Sequence, residues 1–457
     1  MRTMQLAGLH PPFLSTYDPP VAAEGSVDPL SLQPTYEHLA ERILPFLTVR
    51  MRRPRFLTAM AVGAHVCWHE PLRDQLASDG RSPAWIVYEW HVIEAAVRCS
   101  NQQEGDHGPG VAGFRKVSDA IKAGRRVSAA SYLKTPQVFG IHGIYRRLAR
   151  GLNLVQENGD SLELDEGGHV LLRTWEKEQG LPGFYTGDRG PGADLRLALL
   201  KAIREAMTKG YACQPPTWPY WAILDQHLRP DRAGKAESRV ILERLLGSDA
   251  RPHPTDPEAL LARREFFEHL ADYGEIVLRQ EEKSFFHKLM KKASPSLRER
   301  LDRIDAYEGL CRLLHDGFQL ILYLATRKGA TPLTSEEYAS HDLARHLVRR
   351  IGPAVERIEN KIAQLVHEEE LTRLLDRYRH VRQAGDLYAT LLDHHEQAQR
   401  EKPPDGKRAW VERLEEGVVV RPIYRLAEPP EKSDAYVHDY RTNSASLFLR
   451  DLGRIRR

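Results

Sequence analysis

Long apolar runs are missing from this chain. No stretch reaches the roughly 18 consecutive apolar residues a membrane span requires, and residues 1–14 lack the charged-then-apolar layout of a secretory leader. Neither anchoring nor export is expected. Cysteine is scarce: Cys67, Cys99, Cys213 and Cys311 stand singly, with no C-x-x-C pair. That pattern excludes a zinc ribbon or disulfide framework and fits a reducing, cytoplasmic setting. Two catalytic signatures are also absent. Without Gly-x-x-x-x-Gly-Lys-Ser/Thr the chain has no P-loop ATPase signature, and without Gly-x-Ser-x-Gly it has no nucleophile elbow. A surplus of one charge sign is lacking too, since 66 basic and 63 acidic residues leave a net charge of only +3. Any anionic partner must therefore be met by a local patch.

The chain does have ample core material. Of its 457 residues 41 % are hydrophobic and 28 % charged, ordinary for a globular protein and enough for two or three domains. The expected fold class is mainly α: a multi-domain helical protein with an embedded winged helix-turn-helix and a C-terminal helical bundle. Pro11-Pro12, Pro19-Pro20 and Asp28-Pro29 mark residues 1–34 as an extended arm. Residues 35–110 read as a helical N-terminal domain, with periodic segments over 36–44, 56–67 and 85–99. A winged helix-turn-helix over 111–180 and a connector over 181–235 with a Pro/Trp-rich loop follow. The bundle over 236–401 comprises segments 236–246, 257–279, 297–326, 335–365 with a break at Gly352-Pro353, and 371–400. A hairpin around Glu415-Glu416-Gly417 and a polar tail with a short helix near Leu447 complete residues 402–457.

Charge is concentrated between residues 111 and 151. Arg115, Lys116, Lys122, Arg125, Arg126, Lys134, Arg146, Arg147 and Arg150 face one acid, Asp119. Within this stretch a short helix is expected over 128–134, a turn at Thr135-Pro136, and a second helix over 138–151. On that helix Phe139, Ile144, Leu148 and Leu152 would point inward, and His142, Arg146, Arg147 and Arg150 outward. Arginine forks suit phosphates and guanine edges. Residues 154–156 and 162–164 alternate around Asn158-Gly159-Asp160, a strong hairpin signal, and Asp165 is placed to cap a further helix. This order resembles the MarR-like winged-helix pattern, with Leu152-Asn153-Leu154-Val155 as the step into the first wing strand. The expected DNA-binding residues are Arg125, Arg126, Lys134, His142, Arg146, Arg147, Arg150 and Asn158.

Other constellations carry less. His65, Cys67, His69 and Glu70 share a helical stretch, but the glutamate follows the second histidine and the zincin order is absent. His315-Asp316 and His341-Asp342 contain the letters of a metal-dependent phosphohydrolase, in numbers that 20 histidines produce by chance. Glu176-Lys177-Glu178 and Glu401-Lys402 lack a preceding strand with a suitable Asp. Glu94, beside His91, is expected to be solvated or paired. Trp218, Tyr220 and Trp221, between prolines, suit an interface plug. No catalytic residue, metal ligand or cofactor is expected.

Several phrases resemble an uncharacterised bacterial family associated with phage-defence gene clusters, near helicases and nucleases. They are Ser15-Thr16-Tyr17-Asp18-Pro19-Pro20, Glu24-Gly25-Ser26, Asp28-Pro29-Leu30, Arg53-Pro54-Arg55-Phe56-Leu57-Thr58-Ala59, Tyr132-Leu133-Lys134-Thr135-Pro136, Gly140-Ile141-His142-Gly143 and Tyr436-Val437-His438-Asp439-Tyr440-Arg441-Thr442. The resemblance implies a non-catalytic DNA-binding or scaffolding subunit of a multi-protein antiviral system. Its partners would be double-stranded DNA and an ATPase or nuclease subunit, with no membrane. A winged-helix transcriptional regulator and a metal-dependent nuclease or phosphohydrolase are the alternatives.

Overall fold

Apolar periodicity sets most of the elements in the computed structural model, which describes residues 28–68, 72–100, 110–158, 161–247, 256, 258–362, 368–403, 405–430 and 433–455. The chain is mainly α, with 18 α-helices and two two-stranded antiparallel hairpins among the described residues. Helices α1 (Gln33–Ile43), α2 (Phe56–Cys67), α3 (Ala84–Cys99), α4 (Phe114–Lys122), α5 (Pro136–Phe139) and α6 (Ile141–Gly151) precede strands β1 (Val155–Asn158) and β2 (Ser161–Leu164). After them come α7 (Glu166–Glu178), α8 (Pro191–Lys209), α9 (Tyr220–Leu228), α10 (Lys235–Leu246), α11 (Ala259–Tyr273), α12 (Arg279–Met290) and α13 (Pro295–Lys328). The remainder is α14 (Ser335–Ser340), α15 (Asp342–Ile362), α16 (Glu368–Arg379), α17 (Ala384–Arg400), β3 (Val411–Leu414), β4 (Gly417–Val420), a 3-10 turn (Pro422–Tyr424) and α18 (Thr442–Asp451). No helix among the described residues is long and apolar enough to cross a membrane.

Contacts divide the described residues into two compact units, each assembled from separated stretches: 38–301 with 439–457, and 1–37 with 302–438. In the larger unit α2 is the central helix. Its sequence, FLTAMAVGAHVC, carries no charge besides His65, and every residue except His65 is buried. It packs against α3, α6, α7, α8 and β2. Each large apolar side chain sealed this way contributes about 1.5–3 kcal/mol. Trp90 on α3 and Trp175 on α7 are fully buried in the same unit. Of the aromatic set after Pro215, Trp218 and Tyr220 are half-buried. Trp221 is buried, and its ring centroid lies 4.8 Å from Trp218 and 6.0 Å from His91.

In the smaller unit α14 packs on α17 and α15, and α16 packs on α15. The imidazole of His395 on α17 accepts from the Trp410 N–H at 2.8 Å through Nε2, while Nδ1 lies 2.8 Å from the Pro29 carbonyl. These two contacts fix the tautomer with the proton on Nδ1. Gln399 Nε2 also donates to that carbonyl at 3.1 Å. The last residues of the expected arm are thus held against α17, and residues 1–27 lie outside the described residues.

Several local expectations are corrected. Residues 128–134 form a turn instead of a helix. The Ser131 hydroxyl accepts from the Ser128 N–H and donates to the Arg126 carbonyl, and such side-chain bonds compete with a helix. The segment 138–151 divides into α5 and α6 at Gly140, whose ψ of 174° is extended. Segment 257–279 ends at Gly274, with φ 106°, before α12 begins. The break expected at Gly352-Pro353 falls at His341, and Pro353 lies inside α15. Segment 371–400 is interrupted between Arg379 and Ala384. Helices α4, α9 and α12 form where no helix is expected from the sequence.

Candidate nucleic-acid interface

The basic segment is built on two strongly amphipathic helices of the larger unit. On α4, Phe114, Val117 and Ala120 recur every three residues and are buried, which turns Arg115, Lys116 and Lys122 outward. On α6, Ile141, Tyr145, Leu148 and Ala149 are buried, and Arg146 and Arg147 are exposed. The Tyr145 hydroxyl accepts from the N–H groups of Arg52 and Arg53, both at 3.0 Å. Behind α6 the hairpin pairs Val155 with Leu164 and Glu157 with Leu162. Asp165 caps α7 by accepting from the Glu166 N–H at 2.8 Å. Gly168, on the first turn of α7, lies so near the hairpin that a Cβ there would sit 2.0 Å from the Leu154 carbonyl oxygen.

A buried carboxylate orients α6. Glu89 on α3 accepts from the His142 N–H at 2.5 Å and from the Tyr132 hydroxyl at 2.8 Å. It sits at the positive N-terminal end of the helix. Burial pushes its carboxyl up to about 7, against the lowering effect of the bonds from His142, Tyr132 and Ile141. A Cβ at Gly140 would lie 2.4 Å from Glu89 Oε2, so glycine is what permits this approach. The same carboxylate borders a small recess lined also by Met60, Cys67, Trp85, His142 and Ser161. Burial raises the Cys67 thiol and lowers His142 to about 3. At neutral pH the recess therefore holds a protonated thiol and a neutral imidazole, and neither supplies an activated nucleophile.

The sequence-predicted residues separate into three groups. Arg125, Arg126 and Lys134 are exposed, and Arg126 donates to the Gln214 carbonyl at 2.7 Å. Arg146, Arg147 and Arg150 each meet a carboxylate. Arg146 pairs with Glu157 on β1, Arg150 reaches the same group at 3.1 Å, and Arg147 reaches Glu41 at 2.9 Å. These arginines keep about half of their side-chain surface, at 46 %, 56 % and 43 % in sequence order. His142 is different: it is buried, its ring stacked on Trp85 at 3.8 Å, and it does not join the arginine face. The reason is the break at Gly140, which turns the first residue pair of α6 toward α3. Phe139, expected inside, is exposed with the Arg50 guanidinium 4.6 Å from its ring. The side chain of Asn158, together with Gly159 and Asp160, lies outside the described residues.

Sequence reasoning did not single out Glu89, Glu157 or Glu41, because each acts on residues distant in sequence or in another element. The exposed charges of α4 are visible in the sequence as a cluster but not as one face of a helix. Of the discounted constellations, Glu94 is buried and pairs with Arg98 at 2.6 Å. His315 and Asp316 meet each other at 3.4 Å, while Asp342 pairs with Arg345 at 2.5 Å. These His-Asp pairs do not form a metal-ligand cluster among the described residues. His69 and Glu70 lie outside the described residues. No family model, curated protein or solved structure matches this chain.

Proposed function

We propose that the protein is a non-catalytic subunit that binds double-stranded DNA through its phosphate backbone. The observation that carries this reading is the disposition of the nine basic side chains of residues 111–151. Eight are exposed and Arg150 is half-buried. Their apolar neighbours are turned inward on α4 and α6. A nearly neutral protein with one such patch attracts a polyanion locally by releasing its counterions.

The order of helix, turn, helix, hairpin and helix from Pro136 to Glu178 supports a winged-helix reading and hence a duplex partner. The engagement of Arg146 and Arg150 by Glu157, with His142 packed away, leaves α4 and its flanking turn as the freest cations. That distribution favours phosphate contacts over base reading. The family resemblance supports an antiviral assembly in which a partner ATPase or nuclease supplies the chemistry.

Fluorescence anisotropy with short duplexes of unrelated sequence tests the proposal. Binding at low salt should be similar for each duplex. Joint substitution of Arg115, Lys116, Lys122 and Arg125 by alanine should weaken it and flatten the slope of log K against log salt by about 0.9 for each phosphate no longer neutralised. Absence of binding at low salt, or an unchanged slope in the quadruple variant, refutes the reading.

A further inference from the structure

Glu308 and Cys311 are three residues apart on α13 and therefore lie on one face of it. His438, from the segment before α18, reaches the same place in the smaller unit. One donor atom from each of the three lies within 4.8 Å of the others. Glu308 and Cys311 are buried, and His438 keeps 13 % of its side-chain surface. We propose that Glu308, Cys311 and His438 form a binding site for a zinc-class divalent cation.

The donor set selects the metal. A thiolate, an imidazole and a carboxylate suit zinc and its borderline neighbours, whereas magnesium and calcium take oxygen ligands almost exclusively. The surroundings hold the donors in place. Glu308 Oε2 accepts from the Val437 N–H at 2.5 Å, which directs Oε1 to His438 Nδ1 at 2.6 Å. The imidazole is stacked on Tyr36, with centroids 4.7 Å apart and rings 10° from parallel. The Tyr307 hydroxyl, one residue before Glu308, donates to the Leu32 carbonyl at 2.7 Å. Such outer contacts orient metal ligands and strengthen their hold.

Binding replaces the Cys311 thiol proton and the proton shared by Glu308 and His438 with the cation, and both protons pass to solvent. Three protein donors leave the fourth tetrahedral position to water. The cation adds a further tie between the segment around His438 and α13, beside the bonds from Val437 to Glu308 and from Arg312 to the Ala435 carbonyl.

The full-length chain, stripped with a chelator and kept reduced, is titrated with cobalt(II). One equivalent should bind with a sulfur-to-cobalt charge-transfer absorption, and zinc should displace it. Cys311→Ser should abolish the absorption, which distinguishes this thiol from Cys67, Cys99 and Cys213. His438→Gln, at a partly exposed side chain, should weaken cobalt binding by at least about tenfold. No charge-transfer band in the native chain, the same band in Cys311→Ser, or unchanged affinity in His438→Gln overturns the site. If Cys311→Ser does not fold, the histidine variant and the native titration still decide.

Discussion

Arg55 Nε lies 3.0 Å from Glu237 Oε1, and the two side chains keep 1 % and 0 % of their surface. The guanidinium also donates to the carbonyls of Arg229 at 2.6 Å and His227 at 2.8 Å, and the Thr58 hydroxyl donates to Glu237 at 2.6 Å. The N-terminus of α2, the end of α9 and the first turn of α10 are joined by this one network. Arg55 belongs to a cluster of four arginines in six residues.

Breaking that pair strands a charge in the core. Arg55→Met alone should cost about 3–5 kcal/mol of stability, and Glu237→Leu alone a similar amount. The double variant should recover much of the loss, because no unpaired charge remains. Chemical denaturation of the native chain and all three variants checks this. Additive losses in the double variant would contradict a coupled pair.

Glu157 holds two of the arginines assigned to DNA. Glu157→Gln removes the competing carboxylate and leaves Arg146 and Arg150 to the phosphates. Affinity for a short duplex should rise several-fold at low salt, and the difference should shrink as salt increases. Anisotropy titrations of the two proteins at two salt concentrations decide. A weaker or unchanged Glu157→Gln would place the interface away from α6.

Buried groups titrate in opposed directions in acid, Glu89 against His91 and His142 among them. The Glu89 carboxyl, raised from 4.5 to about 7, stays protonated in the fold where the unfolded chain has already ionised. Its contribution is therefore present below pH 4.5 and is lost as pH rises through 7. His91 and His142 are lowered by burial from 6.5 to about 4 and about 3, so they refuse a proton that the unfolded chain accepts. Their contribution is present above pH 6.5 and is lost as pH falls through 4 and 3, by at most about 1.4 kcal/mol per pH unit for each. Between pH 4.5 and 6.5 the two histidines outweigh the glutamate. Glu89→Gln removes the opposing contribution, so its stability should fall more steeply on acidification than that of the native protein, while gaining relative stability above pH 7. Melting temperatures across pH 4.5–8 compare the two slopes, and parallel curves would refute the assignment to Glu89.

The legible parts of this molecule were those carried by short-range pattern. The period of apolar residues located α2, α3 and α13. The alternation around Asn158-Gly159 located the hairpin, and Asp165 the start of α7. The density of charge located the basic segment. Errors fell where a backbone interruption competes with periodicity: at Gly140, at Gly274, and at Ser131, whose hydroxyl closes a turn that apolar spacing alone would have made helical. His142 leaves the expected arginine face through the first of these, because an extended residue ahead of α6 turns it onto Trp85. Adjacent His-Asp pairs are visible in a sequence because their members are neighbours. Glu308, Cys311 and His438 are not visible as a group, because 126 residues separate the last two.

By itself the sequence determined a mainly helical chain, nearly neutral overall, with one concentrated basic stretch, since propensity, periodicity and net charge are sums over nearby residues. Tertiary structure alone decided which of those basic residues are free. A guanidinium's availability depends on whichever carboxylate the fold brings within about 4 Å. For Arg146 and Arg147 that partner is Glu157 or Glu41, each on a different element from the arginine it holds.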